Sequence, residues 1–271
     1  MEKLNIDLTE SQLVSVANDV QASYNITVSD KTDITFNFPE NSHGNVFITL
    51  LGEGDLDLQL IFGDYSNWSY LILNESDHAL NIKETVTLHK EAYIKANYGE
   101  LSNGQHVKNT NFVLDGAHSH LDVRGASIAF GELEWHMSAL HRAKDSYAML
   151  QNYGIVFTGG RLTFEVLGDI EKGQSRSKTH QITRVMNMDE QVRARVFPKL
   201  VIDENDVEAS HAASVGQPDP EAIYYMRSRG LSLKETLQQM TLGYLLPIVD
   251  VIEDEEVKEQ LAQNIYSKVM Q

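Results

Sequence analysis

No cysteine occurs among the 271 residues, which excludes disulfides, thiolate nucleophiles and any metal or cluster site built on the chain's own sulfur. Positive charge is scarce as well: 22 Lys and Arg stand against 39 Asp and Glu, a formal net charge of −17. Holding a phosphate backbone depends on cations that displace condensed counterions, so no nucleic-acid partner is expected. Most of the acid reads as a solvated, solubilising surface. No apolar run approaches the roughly 18 residues that a membrane span needs, and no membrane partner is expected. The start, Met1 to Asp7, lacks the basic and then unbroken apolar stretches of a signal peptide, so the expected location is the cytoplasm.

Several chemical signatures are missing too. There is no phosphate-binding loop, and Gly52-Glu53-Gly54 lacks the third glycine of a dinucleotide fingerprint, so the chain is not expected to hold ATP by itself. Neither the Gly-x-Ser-x-Gly elbow nor His-Glu-x-x-His is present. The ten histidines invite a metal reading. His118 and His120, two apart in an expected strand, would share a face, but no third ligand is placed beside them. His136 and His141 read as strand packing, while His180 and His211 stand alone locally. Glu132 and Glu134 would face the same way in a strand, as an acid/base pair requires, yet no cleft is evident around them.

Between Ile34 and Ile202 there are short β-branched and apolar runs, each bounded by Gly, Asn or Asp: Ile34–Phe38, Val46–Leu50, Leu56–Ile61, Leu71–Leu73 and Ile155–Phe157. No proline falls between Pro39 and Pro198, which suits strands whose N–H groups all find ladder partners. Sandwich, barrel and parallel β-helix all fit this pattern. Two-residue hairpin signals are few, Asn103-Gly104 and Asp115-Gly116, and their scarcity favours a solenoid. Thr9 to Leu13 could start a short helical turn.

After Val215 the periodicity changes. Asp219-Pro220-Glu221 supplies an N-cap, a first-turn proline and an acid at the positive helix end, and Gly230 ends that helix. Ser232-Leu233-Lys234-Glu235 is a capping box, followed by a stripe of Leu233, Leu237, Met240 and Tyr244 until Pro247. Glu253 to Glu256 open a third helix with Val257, Leu261, Ile265 and Val269 four apart. The expected organisation is a short N-terminal segment (1–30), a β core (31–215) and a small helical domain (216–271).

The stretch Asp206-Val207-Glu208-Ala209-Ser210-His211-Ala212-Ala213-Ser214-Val215-Gly216-Gln217, followed by Tyr224-Tyr225-Met226-Arg227-Ser228-Arg229-Gly230, resembles the C-terminal signature of the SufB/SufD family of iron-sulfur cluster assembly proteins. Pro198-Lys199-Leu200-Val201-Ile202 resembles the family's strand Pro-x-Leu-x-Ile. The resemblance implies a mainly β chain, a right-handed parallel β-helix followed by a small C-terminal α-helical domain. It also implies a non-enzymatic scaffold that pairs with a SufB-like subunit, or with itself as a homodimer, and docks a SufC-type ATPase through its helices. The docking candidates are Tyr224, Arg227, Arg229, Leu233 and Leu237.

Where the family carries a cysteine two residues before the signature histidine, this chain has Ala209, which likens it to the D-type member. His211 is then the candidate ligand to iron or to a transient cluster shared with a partner's thiolate, with no cofactor bound by the chain alone. Little room is left before Ile34 for the family's N-terminal helical region. Two other readings are a β-helical carbohydrate-active enzyme and a purely structural, self-associating β-helix.

Overall fold

A computed structural model describes residues 2–101, 103–251 and 255–270. Its fifteen strands coil into a parallel β-solenoid of about seven turns, and the three α-helices follow the last strand. The strands are β1 (Glu2–Leu8), β2 (Gln12–Ser15), β3 (Val20–Phe38), β4 (His43–Phe62), β5 (Asn67–Asn74), β6 (Leu80–Leu88), β7 (Tyr93–Glu100) and β8 (His106–Leu114). They continue with β9 (His120–Ala129), β10 (Glu132–His141), β11 (Tyr147–Val156), β12 (Arg161–Ile170), β13 (Lys178–Asn187), β14 (Arg193–Ile202) and β15 (Glu208–Gly216).

Each turn contributes one strand to each of two ladders. One runs β14-β12-β10-β8-β6-β4 and the other β4-β5-β7-β9-β11-β13-β15, every pair parallel. Strands β3 and β4 are long enough to run through both ladders, pairing over their full length from Val20↔Gly44 to Phe38↔Phe62. Gly52 and Gly54 take φ of 86° and 122° where β4 bends from one ladder to the other. A Cβ at either would run into the carbonyl of Val28 or Asp30 in the preceding turn. The repeat lengthens along the stack, from 24 residues between Val20 and Gly44 to 31 between Tyr147 and Lys178.

Alternation explains the interior. In β6 and β12 every second residue is buried, and because the registers are unslipped these residues stack into columns such as Leu88, Leu114, His141 and Ile170. The core runs from Leu8 to Val192, with Phe38, Phe62, Tyr70, Tyr98, Trp135 and Phe164 forming an internal aromatic file.

Three expectations change. Strand begins at Glu2, and Gln12–Ser15 pairs with Ile34–Asn37 where Thr9 to Leu13 predict a helical turn. A helix-start signature with no apolar 3.6-residue stripe behind it yields to an available sheet edge. Asn103-Gly104 and Asp115-Gly116 are not hairpins, since the strands they join lie in opposite ladders and every pairing is parallel. Gly116 is there for close approach: it donates to the Leu88 carbonyl at 3.0 Å, and a Cβ would strike the backbone of His89 and Lys90. His118 and His120 do not share a face. The former sits in a corner at φ 61°, and the latter's ring stacks between Tyr93 and Tyr147 at 4.4 Å from each.

The helices are α1 (Pro220–Ser228), α2 (Leu233–Leu245) and α3 (Glu255–Met270), with a 3-10 turn at Leu246–Val251. Asp219 caps α1 by accepting from the Glu221 N–H, and the Ser232/Glu235 capping box is closed in both directions. The helices fold back on the flank of the solenoid. Leu242, Leu245, Val249, Leu261, Ile265 and Val269 bury against Leu71, Leu73, Leu101, Ala126, Ile128 and Ile155. Asn264 donates to Glu75 at 2.5 Å, and Lys268 reaches Asp77 at 3.3 Å. Glu253, Asp254 and the Val257 side chain lie outside the described residues.

Candidate functional site at the open end of the solenoid

The stack ends bare. Strands β14 and β15 are terminal in their ladders, and every residue of β15 is exposed. Phe197, Val201, Ile202 and Val215 are exposed apolar side chains on this last turn. An open sheet edge of this kind presents unpaired N–H and C=O groups and is a ready template for another chain.

His211 lies in β15 opposite Gln181, in the column that runs through Val123, Leu150 and Gln181. Those three are buried, so His211 continues an interior column at a level that nothing covers. Its neighbour Ser210 lies on the other face and bonds His180 Nδ1 at 2.7 Å. The interior becomes polar just beneath: Thr179, Gln181 and Thr183 are buried, and Gln181 Nε2 donates across to the Lys199 carbonyl of β14 at 3.0 Å. Among the described residues, no three His, Asp or Glu side chains gather in a way that could hold a metal ion.

The docking candidates fall on the helices. Tyr224 and Arg227 line one groove of the α1–α2 hairpin with Ile223, Leu231 and Glu235. Tyr224 is 77% exposed, and Arg229 lies over the Tyr225 ring at 5.2 Å. Leu233 is exposed and Leu237 half-buried; the face of α2 turned inward carries Thr236, Thr241, Leu242 and Leu245. Glu132 and Glu134 share the outer face of β10, where Glu134 accepts from His136 Nε2 at 2.8 Å, and Glu132 is not drawn into that contact.

A buried ionic network escaped the sequence reading. Lys108 Nζ lies 2.8 Å from Glu100 and 3.8 Å from Glu84, with all three side chains inside the solenoid. Tyr98 and Thr110 donate to Glu84 at 2.8 and 3.0 Å, Asn74 donates to Glu100 at 2.8 Å, and the ammonium sits over the rings of Tyr98 and Trp135. Burial raises the Glu84 carboxyl, opposed by Lys108. Strand parity was the available signal, since Glu84 alternates with the inward Ile82 and Val86, and Lys108 with the inward His106 and Thr110.

A family model described as SUF system FeS cluster assembly, SufBD core domain, matches residues 56–244. The chain is 31% identical over 182 residues to the iron-sulfur cluster assembly protein SufD of Bacillus subtilis, covering 66% of this chain and 42% of that protein. It is 28% identical over 111 residues to SufD of Escherichia coli, covering 41% and 26%. The chain thus spans less than half the length of these relatives. The match runs from the middle of β4 through β15 and on to Tyr244 in α2, taking in the last turn and the hairpin grooved by Tyr224, and on that basis the chain belongs to the SufB/SufD family of iron-sulfur cluster assembly proteins.

Proposed function

We propose that this chain is a non-enzymatic, cytoplasmic scaffold subunit of iron-sulfur cluster assembly. It pairs through the last turn of its solenoid with a SufB-like subunit and holds a SufC-type ATPase on the α1–α2 hairpin. The observation that carries this reading is the uncovered last turn, which keeps His211 in an interior column at an edge able to receive a second solenoid. Without cysteine, the chain leaves the sulfur ligands to its partner. His211 supplies an imidazole to iron or to the nascent cluster, which is cargo rather than a resident cofactor. The groove containing Tyr224 and Arg227 offers the ATPase an aromatic and a cation beside apolar Ile223 and Leu231.

Tagged chain expressed at native level in its host should co-purify with a cysteine-bearing SufB-like subunit and a SufC-like ATPase. Recovery of the chain alone, or only with itself, overturns the reading in favour of a self-associating structural role. After anaerobic reconstitution of the complex, His211→Ala should lower bound iron and cluster absorption while the subunits stay together. Tyr224→Ala with Arg227→Ala should release the ATPase and leave the solenoid pair intact.

A further inference from the structure

The buried network does not balance its charge. One ammonium, Lys108, stands against two carboxylates, Glu84 and Glu100, and all three side chains are at most 1% exposed. An ionised carboxylate without a countercharge is so costly in such surroundings that the group takes up a proton instead. Burial holds His106, another titratable group turned inward on β8, toward its neutral form, so it supplies no second cation.

The hydrogen-bond partners decide which carboxyl holds the proton. Glu100 accepts from Lys108 Nζ at 2.8 Å and from the Asn74 amide at 2.8 Å. Both groups can only donate, and the Asn74 carbonyl is engaged by the Ser76 N–H at 3.1 Å, so the amide cannot turn round. Glu100 is thereby restricted to its ionised form. Glu84 lies farther from the ammonium, at 3.8 Å, and its nearer partners are the hydroxyls of Tyr98 and Thr110. A hydroxyl donates or accepts as required. When Glu84 is protonated, Tyr98 accepts from it and passes its own hydrogen to Tyr70, whose oxygen is 2.6 Å away and serves in either role, while Thr110 still donates to the other carboxyl oxygen. On β4 the register neighbour of Glu84 is the apolar Leu58.

We infer that Glu84 is a carboxylic acid at neutral pH and that its proton is a base-sensitive lock on the solenoid, because its loss leaves one unbalanced negative charge in the interior. The folded state favours the protonated form. The stability tied to this group is therefore complete below 4.5, the ordinary glutamate value, and drains away as the pH rises through the raised folded value.

Infrared spectra of the full chain, with glutamate isotope-labelled at the side-chain carboxyl, test the assignment. At neutral pH the wild type should show a protonated-carboxyl C=O stretch that moves with the label and is missing from Glu84→Gln. The amide in Glu84→Gln reproduces the shape and donor of the protonated acid, so its thermal midpoint should stay within about 4 °C of wild type at neutral pH and fall less than wild type's as the pH is raised. Glu100→Gln takes the fixed counter-ion from Lys108, and should abolish the stretch as Glu84 ionises to replace it. A wild-type spectrum without the stretch, or a stretch that survives in Glu84→Gln, overturns the assignment. An undiminished fall with pH in Glu84→Gln overturns the lock. Should Glu84→Gln fail to fold, the labelled wild type and Glu100→Gln decide between the outcomes.

Discussion

The Lys108 ammonium is held by Glu100 and by two aromatic faces, buried inside the solenoid. Removing one member of such a set strands the others as buried, uncompensated charge, which costs more than the network contributes when whole. Lys108→Met should lower stability by about 3–5 kcal/mol in denaturant unfolding; a loss below about 1 kcal/mol would mean that the carboxylates find protons or other partners readily. His141 is the second inward polar residue with a measurable consequence. Its Nδ1 lies 2.7 Å from Ser146 Oγ, which itself donates to the Ala143 carbonyl at 2.8 Å, so Nδ1 carries the proton and Nε2 is left without a partner among the described residues. Desolvation lowers the imidazole to about 4. The folded state thus favours the neutral ring, and the stability tied to it is complete above 6.5 and drains away as the pH falls from 6.5 toward 4. The expected loss across that window is on the order of 3 kcal/mol. His141→Leu should flatten the fall in thermal midpoint over the same range, and an unchanged slope would assign the acid sensitivity elsewhere. Lys108 stands between Val107 and Asn109 and His141 between Leu140 and Arg142, and neither setting tells which side of a strand the residue faces until the register is known.

At the level of elements, what could be read locally was read well. The α1 cap at Asp219 and the α2 capping box each depend on four consecutive residues and appear in the structure where those residues stand. Ser232→Ala, which leaves the Glu235 N–H without its acceptor, should cost about 1 kcal/mol of helix stability, measurable as faster amide exchange across the first turn of α2. Features set by distant partners were less legible. Of the Leu233, Leu237, Met240, Tyr244 stripe, Tyr244 packs on the flank of β5, β9 and β11, against Tyr153, while the residues that α2 buries are Thr236, Thr241, Leu242 and Leu245. The four-residue spacing of Leu261, Ile265 and Val269 in α3 did mark its buried side. Leu261→Ala should cost about 2–4 kcal/mol by opening a cavity beneath Leu73 and Gly99, read as a lower unfolding midpoint. The corner glycines misled for the same reason: Gly116 answers to the backbone one turn below, and sequence spacing alone does not distinguish that demand from a hairpin's.

For the whole molecule, charge is distributed unevenly. The first 80 residues carry 13 acidic side chains against two lysines, while the remainder holds 26 against 20. That acidic excess lies on the turns farthest along the ladders from β14 and β15. The helices and the solenoid share one apolar contact, so removal of residues 219–271 should bare Leu71, Leu73, Leu101, Ile128 and Ile155. The truncated chain is expected to bind a hydrophobic dye and to elute as aggregates in size-exclusion chromatography; a monomeric, dye-silent product would mean that the flank closes without its helices. That a β stack with a helical tail would emerge was visible in the alternating runs and the caps, whereas the parallel pairing came chiefly from the family resemblance.

One contact sets how the molecule bears load. The chain leaves the stack at Gly216, the weakest place to be tugged, since strands there could be peeled away one hydrogen bond at a time. Yet α3 fastens to Glu75 and Asp77, at the corner between β5 and β6. A force applied to α3 therefore enters the stack at the corner between β5 and β6 and along the flank of β5, β9 and β11, like a lever bolted to the side of a girder, and the final turn is spared it.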